Sequence, residues 1–403
     1  MAAKRALTVG AGEEGSSWQL SVDADYRGVL VLVQILRVRC HVRARRSALK
    51  WLTRCFSSAQ RRGWPVVTTK LLTAVDVAQL VRDVGLAGFV DGLIARMEET
   101  FRKWGELKVV PRVSFSYPWG VVEAMPASDS KFYAVKIVNG HPNNPARNLL
   151  TVAALGILAD AETGYPLMVA DATLLTAFRT GAACAVATKH LARRDSRVLG
   201  IIGTGAQSEF LCYAVSRVAP IEKVVFYDID SLAMRKFEEN IRALGFSTRA
   251  ASSGREVAES ADVLITATAA RGKHRVVERG WLKPGAHVNA VGGDAPGKTE
   301  LDPQILFEAK VVVELLEQAQ VEGEIQNTGR EAVYAELWEI VSGLKPGRVS
   351  ESELTVFDSV GVAVEDWAAL TYLYELASER GAGLDTDLLP SPPHPKNLFS
   401  ILR

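Results

Sequence analysis

An apolar run that ends in a glycine-rich loop constrains this chain more than any other feature. Residues 198–202 (VLGII) lead into Gly203, Gly205 and Ser208, after which a helix is predicted to begin. Gly203 permits a tight turn, Gly205 lets a pyrophosphate approach the backbone, and the helix directs its first amides at the phosphates. Ser208 occupies the third glycine position of the usual fingerprint, so the loop alone also fits an ordinary strand-to-helix turn.

The next apolar segment decides between these two interpretations. Residues 223–228 (KVVFYD) are typical of a strand, and this strand ends in Asp228. An acid at this distance beyond the loop accepts hydrogen bonds from the adenosine ribose, and its charge repels a ribose phosphate. The two segments together predict a dinucleotide site that favours NAD over NADP.

Strands and helices alternate through the second half of the chain, which predicts a doubly wound parallel sheet. A helix or helix pair over 73–105, strands over 109–138 and a hairpin over 149–171 predict a separate α+β domain before it. A length of 403 residues agrees with more than one domain. The predicted fold class is therefore α/β, a Rossmann-type domain plus an α+β domain. The predicted boundaries are an N-terminal extension at 1–65, the α+β domain at 66–178, the Rossmann domain at 179–360, and a helix and tail at 361–403 that return to the first domain.

A second strand end carries an acid. Residues 288–302 (VNAVGGDAPGKTELD) contain a strand that ends in two glycines and presents Asp294 before a Pro-Gly turn. Ligands of a doubly wound sheet bind at the carboxyl ends of its strands. Asp294 is therefore a candidate functional residue, although a solvated turn residue would fit the same pattern.

Four charged residues of the N-terminal half form a second candidate group: Arg112, Glu123, Lys136 and Arg179. The three cations lie within apolar stretches, where burial is costly unless each meets an anion. Around a substrate carboxylate all three would be useful. Any one of them alone would fit an ordinary surface charge.

Charge and composition exclude several classes of function. The formal net charge is +1, so no global charge draws the protein to nucleic acid or to an anionic membrane. No apolar run reaches the ~18 residues that a membrane span needs. The four cysteines and six histidines form no metal-binding pattern, and we expect no metal.

The N-terminal extension differs from the rest of the chain. No acid occurs between Asp25 and Asp76, while arginines accumulate there. This composition is typical of an organelle transit segment, although such segments normally begin at the initiator Met and here an acidic stretch comes first. We expect an unstructured or targeting extension, and a cytoplasmic enzyme, or a mitochondrial one if the extension is a presequence.

Six motifs occur in order between about residue 70 and the C-terminus: KIVNGHPNNP, FRTGAA, IGTGAQSEF, VNAVGGDAPGKTEL, EGEI and VFDSVG. With them the chain resembles the ornithine cyclodeaminase and mu-crystallin family. VNGHP and GGDxPGKTEL are similar to its cyclodeaminase branch. That branch converts L-ornithine into L-proline and ammonia through transient oxidation by NAD, intramolecular cyclisation and re-reduction.

The resemblance also implies roles for individual residues. A carboxylate clamp would comprise Arg112, Lys136 and Arg179 with Thr151 beside them. Glu123 would hold the distal amine of the substrate, and Asp294 would be the catalytic acid and base. The cofactor site would be lined by Gly203, Gly205, Ala206, Gln207, Asp228 and Ser359. The resemblance further implies a homodimer joined through the sheets of the N-terminal domains.

Three alternatives stay open from the sequence. A ketimine reductase or amino-acid dehydrogenase of the same family would use the same fold, but it needs no acid for a remote ammonium. A lysine cyclodeaminase differs by one substrate methylene, which sequence does not resolve. A non-catalytic dinucleotide-binding protein would have no use for Asp294 and Glu123 together.

Overall fold

A computed structural model describes residues 67–269 and 272–403, together with two short strands, β1 (Ala6–Thr8) and β2 (Gln19–Ser21). These two strands pair antiparallel. The rest of residues 1–66 lies outside the described residues, and the prediction for the extension lies there with it. Residues 67–390 form one compact unit, and residues 391–403, with the 3-10 helix Leu398–Leu402, belong to a second unit.

The large unit contains ten α-helices in its described residues. They are α1 (Ala74–Val84), α2 (Leu86–Arg102), α3 (Thr173–Leu191), α4 (Ser208–Ser216), α5 (Ser231–Ala243), α6 (Gly254–Ser260), α7 (Pro303–Glu308), α8 (Leu316–Ala319), α9 (Leu337–Val341) and α10 (Ala363–Arg380). Short 3-10 helices occur at Trp104–Glu106, Asn144–Arg147, Glu324–Asn327 and Arg330–Ala332. No helix of the described residues is long and apolar enough to cross a membrane.

The first sheet is mixed. Its strands are β3 (Thr69–Leu72), β4 (Lys108–Val109), β5 (Val113–Tyr117), β6 (Gly120–Ser128), β7 (Phe132–Gly140), β8 (Val152–Asp160), β9 (Pro166–Asp171) and β20 (Leu384–Thr386). Their order in the sheet is β20-β3-β9-β8-β7-β6-β4, with β5 also paired to β6. β8 and β9 form the predicted hairpin, and α1 and α2 form the predicted helix pair. A capping box of Thr73 and Asp76 begins α1.

Alternation along the strands gives the first sheet two different faces. In β6 and β7 the residues on one face are buried, and these include Glu123 and Lys136. The long helix α10 packs against this face, so the chain returns from the second sheet to the first. Gly156 of β8 permits the close approach, because a Cβ there would lie 2.5 Å from a side-chain carbon of Leu370.

The second sheet is parallel throughout. Its strands are β10 (Val198–Ile202), β11 (Lys223–Tyr227), β12 (Ser247–Ala250), β13 (Val263–Thr266), β15 (His287–Ala290), β17 (Lys310–Val313), β18 (Val333–Glu336) and β19 (Thr355–Asp358). Their order in the sheet is β12-β11-β10-β13-β15-β19-β17-β18. A separate parallel pair is formed by β14 (Lys273–Val277) and β16 (Thr299–Leu301).

The strand order confirms the predicted doubly wound fold. From β10 the chain proceeds outward through β11 and β12, and then crosses to β13 on the other side of β10. Central strands such as β13 are buried along their whole length, as expected for strands covered on both faces. The reversal between β10 and β13 creates the crevice where ligands of such sheets bind.

Candidate active site

The glycine loop lies at this crevice. Gly203 has φ +97°, and a Cβ on it would lie 2.5 Å from the Ala267 carbonyl oxygen, so no larger residue fits. A Cβ on Gly205 would meet no atom within 4 Å, and both Gly205 and Ala206 are exposed. Helix α4 begins just beyond the loop, at Ser208. The loop therefore leaves open space in front of a helix N-terminus, which fits a pyrophosphate.

Asp228 lies beside this loop, as its position at the end of β11 predicts. Its Oδ2 accepts hydrogen bonds from the backbone amide of Thr204, at 2.6 Å, and from the Thr204 hydroxyl, at 3.2 Å. Its Oδ1 accepts from the Asp230 amide at 2.9 Å. The carboxylate is thus held at the edge of the open space, where a ribose would lie. The residues present fit a dinucleotide.

The four charged residues of the N-terminal half lie together. The Arg112 Nη1 donates to Glu123 Oε2 at 2.9 Å, and the Lys136 Nζ donates to Asp366 Oδ1 at 2.8 Å. Arg179 Nε lies 3.2 Å from the same Asp366 oxygen. Burial and the nearby Arg179 lower the pKa of Lys136 to about 8, against the opposing effect of Asp366. Three buried cations in one cluster offer several hydrogen-bond donors to a carboxylate.

Glu123 has two partners in the cluster. Besides Arg112, it accepts a hydrogen bond from the Ser114 hydroxyl at 3.0 Å, and its side chain is 9% exposed. Arg112 is itself anchored by donating from Nη2 to the carbonyl oxygens of Val360 and Gly361. Glu123 is therefore positioned by Ser114 of the neighbouring strand β5 and by Arg112 just before that strand, a cation that the substrate carboxylate would also approach.

Asp294 lies in the loop after β15, and its side chain is 55% exposed. Its Oδ1 accepts a hydrogen bond from the Lys298 Nζ at 2.8 Å. Burial lowers the pKa of Lys298, but the Asp294 carboxylate outweighs it and the pKa is raised, so Lys298 stays charged. A solvent-accessible carboxylate at the ligand edge of the sheet is chemically suited to exchange protons.

Two other predicted site residues, Thr151 and Ser359, make contacts that do not themselves point to a ligand. The Thr151 carbonyl oxygen accepts a hydrogen bond from the backbone amide of His141 at 2.8 Å, which places Thr151 at the end of the β7–β8 hairpin. Ser359 is 2% exposed and donates to Glu314 Oε1 at 2.8 Å, so its hydroxyl points inward to an acid. Their roles toward substrate and cofactor remain predictions.

The sequence analysis did not identify the buried acids that pair with Lys136 and Arg179. Glu365 and Asp366 stand in the first turn of α10, and Arg179 Nη1 donates to Glu365. Burial and the neighbouring Glu314 hold the pKa of Glu365 well above its usual range, which favours its protonated form. The sequence signal was present: both VVVELL around Glu314 and VAVEDWAAL place acids inside apolar runs.

The acids of the EGEI motif also tie the site together. Glu324 accepts from the backbone amides of Glu300 and Leu301, at 2.8 and 2.9 Å. Asp358 accepts from the amides of Glu324 and Ile325, and burial raises the pKa of Asp358 to about 7. These hydrogen bonds hold residues 322–325 at the carboxyl ends of the strands of the second sheet, next to the two glycines that precede Asp294.

The parallel sheet and its glycine loop define a dinucleotide-binding protein of the Rossmann class. The chain belongs to the ornithine cyclodeaminase/mu-crystallin family, whose model matches residues 74–381. The resemblance noted in the sequence is thereby confirmed.

Similar proteins carry more than one activity. An ornithine cyclodeaminase of Agrobacterium fabrum is 39% identical over 82% of this chain and 94% of its own length. An archaeal alanine dehydrogenase dimer with bound NAD is 39% identical, with a TM-score of 0.74 over 80% of this chain and 100% of its own. A lysine cyclodeaminase, solved to explain recognition of L-lysine, L-ornithine and L-2,4-diaminobutyric acid, is 34% identical, with a TM-score of 0.77 over 82% of this chain and 98% of its own.

Proposed function

We propose that this protein is an ornithine cyclodeaminase, a lyase that converts L-ornithine into L-proline and ammonia with NAD as a catalytic cofactor. The observation that supports the proposal most strongly is the position of Glu123 in the cluster formed with Arg112, Lys136 and Arg179. Glu123 is buried, and its Oε2 lies 2.9 Å from the Nη1 of Arg112. The cluster holds more carboxyl groups than cations, since Glu314, Glu322, Glu365 and Asp366 accompany Glu123. A distal ammonium group of the substrate would pair with the Glu123 carboxylate.

NAD is the cofactor that these residues and the relatives favour. Gly203, Gly205, Ala206 and Gln207 would hold the pyrophosphate at the start of α4, with Asp228 at the adenosine ribose and Ser359 near the nicotinamide end. NAD supplies transient oxidation of the substrate α-carbon and its later reduction.

The choice of NAD over NADP is expected to depend on Asp228. A hydrogen bond to a charged group contributes about 1.5–3 kcal/mol, which is roughly ten- to hundredfold in affinity. Replacement of Asp228 by Ser should therefore weaken NAD binding by such a factor and narrow its advantage over NADP, as measured by calorimetric titration. The matched control is Asp230→Ser, which removes the same charge two residues away and keeps a residue able to cap α5. Equal affinities for NAD and NADP in the unaltered protein would contradict the assignment.

The chain's own residues would carry the remaining steps. Arg112, Lys136 and Arg179, with Thr151 beside them, hold the substrate carboxylate, and Glu123 holds the distal amine. Asp294 accepts the proton that the α-amine loses and returns it to the departing ammonia. The distal ammonium first loses a proton to solvent, and the neutral amine then attacks the oxidised carbon. Because the amine is held near that carbon, the attack is intramolecular, an arrangement whose advantage reaches several kcal/mol.

A labelled substrate tests this sequence of steps. L-Ornithine that carries deuterium on its α-carbon is expected to give L-proline that retains the deuterium at that carbon, because the atom removed in the first step returns in the last. Mass spectrometry of the proline measures the retention. Transfer of the label to a pool of free cofactor, in place of the proline, would favour a dehydrogenase.

The alternatives differ in how they use Glu123. A ketimine reductase or an alanine-type dehydrogenase has no remote ammonium to bind, which leaves a buried acid without a substrate partner. Lysine cyclodeamination uses the same groups with a substrate one methylene longer, and kcat/KM for the two diamino acids separates the two activities.

The outer face of the first sheet supports the proposal of a homodimer. Val113, Ala124, Ile137 and Leu155 stand directly opposite one another on four neighbouring strands. Ile137 and Leu155 are 49% and 58% exposed, so this face presents an apolar stripe away from the buried active-site face. Apolar patches of this kind mark protein interfaces.

A charged residue in this stripe is expected to break the dimer. In Leu155→Glu the burial of a charge opposes association, and sedimentation should show a monomer. Leu232→Glu makes the same change at an exposed leucine of α5 and should leave the dimer intact. An unaltered dimer in Leu155→Glu would place the interface elsewhere.

A further inference from the structure

Glu322 is a buried acid of the cluster that the proposed chemistry does not yet use. Its side chain is 4% exposed, and its Oε2 lies 3.3 Å from the Nε of Arg112. Within the described residues neither of these two atoms has a hydrogen-bond partner. The contact is therefore an ion pair without a well-directed hydrogen bond.

The other contacts of Arg112 are better formed. Nη1 makes a 2.9 Å hydrogen bond to Glu123, and Nη2 donates to two backbone carbonyl oxygens. An anion that enters the cluster would therefore displace Glu322 from Arg112 at the smallest cost in hydrogen bonds.

The position of Glu322 couples it to both parts of the site. The Gly323 amide donates to the Gly293 carbonyl oxygen at 2.6 Å, so Glu322 is fixed next to the loop of Asp294. The charged groups that act on Glu322 are Arg112, Glu123 and Asp294. One of these is a cation and two are acids, so among the described residues Arg112 is the group that favours the ionised form of Glu322.

We propose that Glu322 is a positioning residue, an internal counter-ion that occupies the side of Arg112 used by the substrate carboxylate, and that it takes up one proton when substrate replaces it. The proton comes from solvent and forms an O–H bond on the Glu322 carboxyl group. This inference rests on the proposed function, because it takes Arg112 as a ligand of the substrate carboxylate.

Electrostatics gives the direction of the proton uptake. Burial raises the pKa of Glu322 to about 7, Arg112 opposes the rise, and Glu123 and Asp294 add to it. A substrate carboxylate that neutralises Arg112 removes the opposing effect, so the pKa of Glu322 rises further in the complex. The complex then binds more protons than the free protein, and substrate binding weakens as the pH rises above about 7.

Calorimetric titration of the NAD-bound protein with 5-aminopentanoate tests the proposal. This probe has the carboxylate and distal ammonium of ornithine but no α-amine, so it neither reacts nor titrates in the range used. Titrations in two buffers of different ionisation enthalpy give the number of protons taken up. At pH 8 we expect about one proton per probe from Glu322 and about half a proton from Lys136, whose pKa is about 8, and at pH 6 almost none. The affinity should fall roughly tenfold between pH 7 and pH 8, and about fivefold of this loss comes from Glu322.

Variants isolate the contribution of Glu322. Glu322→Gln resembles the protonated acid, so it should take up about one proton fewer than the unaltered protein at pH 8 and keep only the weaker pH dependence that Lys136 contributes. Glu317→Gln removes an exposed acid from α8 and should behave as the unaltered protein does. Equal uptake by the unaltered protein and Glu322→Gln would overturn the proposal, and so would pH-independent affinity of the unaltered protein, which requires no variant.

Arg112→Gln separates the two levels of the argument. If this variant loses the probe while Glu322 makes no difference to proton uptake, the proposed clamp stands and the inference about Glu322 is wrong. If it binds the probe as tightly as the unaltered protein does, Arg112 is no carboxylate ligand, and both fail.

Discussion

Turnover of L-ornithine is expected to fall by roughly two or more orders of magnitude when Asp294 is replaced by Asn, the range typical for loss of a general acid and base. Asn keeps the shape of Asp294 and a hydrogen-bond acceptor, but it does not accept the proton of the α-amine. Because Asp294 is half exposed and forms its ion pair with Lys298, outside the cation cluster, the substitution should leave the fold and the cation cluster intact.

The kinetic signature of this variant is a loss in kcat larger than the change in KM, with NAD affinity unchanged. Steady-state rates and calorimetric titration measure the two quantities. Asp195→Asn, which makes the same change at a surface residue 75% exposed, should retain normal turnover. Near-normal turnover in Asp294→Asn would transfer the acid and base role to another group.

Replacement of Glu123 by Gln is expected to lower kcat/KM for L-ornithine by roughly ten- to a hundredfold, the value of a buried hydrogen bond to a charged group. The variant loses the charge that attracts the distal ammonium, while Arg112 keeps Glu322 and the carbonyl oxygens of Val360 and Gly361. The loss should therefore reflect placement of the substrate and leave cofactor binding unaffected.

A neighbouring residue provides the control for Glu123. Ser114→Ala removes the 3.0 Å hydrogen bond to Glu123 Oε1 without changing any charge. We expect a loss of only a few-fold, because Glu123 keeps both its charge and its ion pair with Arg112. Similar losses in Ser114→Ala and Glu123→Gln would show that the charge of Glu123 contributes little, and would weaken the argument for a diamino acid.

Much of the fold was predictable because its central strands are buried on both faces. Apolar runs such as VLGII and KVVFY have no reason to alternate, and they became β10 and β11. The edge strands β12 (STRA) and β18 (VYAE) were not predicted, since they are short and their residues are partly exposed. Edge strands are hard to identify from the sequence, because whether they form depends on hydrogen bonds to a single neighbouring strand.

The sequence identified the cations of the candidate site but not the acids that pair with them. Cations in apolar stretches require anions, so Arg112, Lys136 and Arg179 could be selected from the sequence. Their protein partners could not, because Lys136 and Asp366 are 230 residues apart and only the return of α10 to the first sheet brings them together. Long-range pairing of this kind depends on topology, which residue patterns do not encode locally.

The most direct test of the account is the stoichiometry of products. The protein is incubated with L-ornithine and with NAD at much less than one mole per mole of L-ornithine. Proline, ammonia and NADH are then measured in the same sample. We expect proline and ammonia in equal amounts, many turnovers per NAD, and no accumulation of NADH. NADH formed in proportion to consumed substrate, or equal activity on L-alanine, would contradict the cyclodeaminase assignment and favour a dehydrogenase.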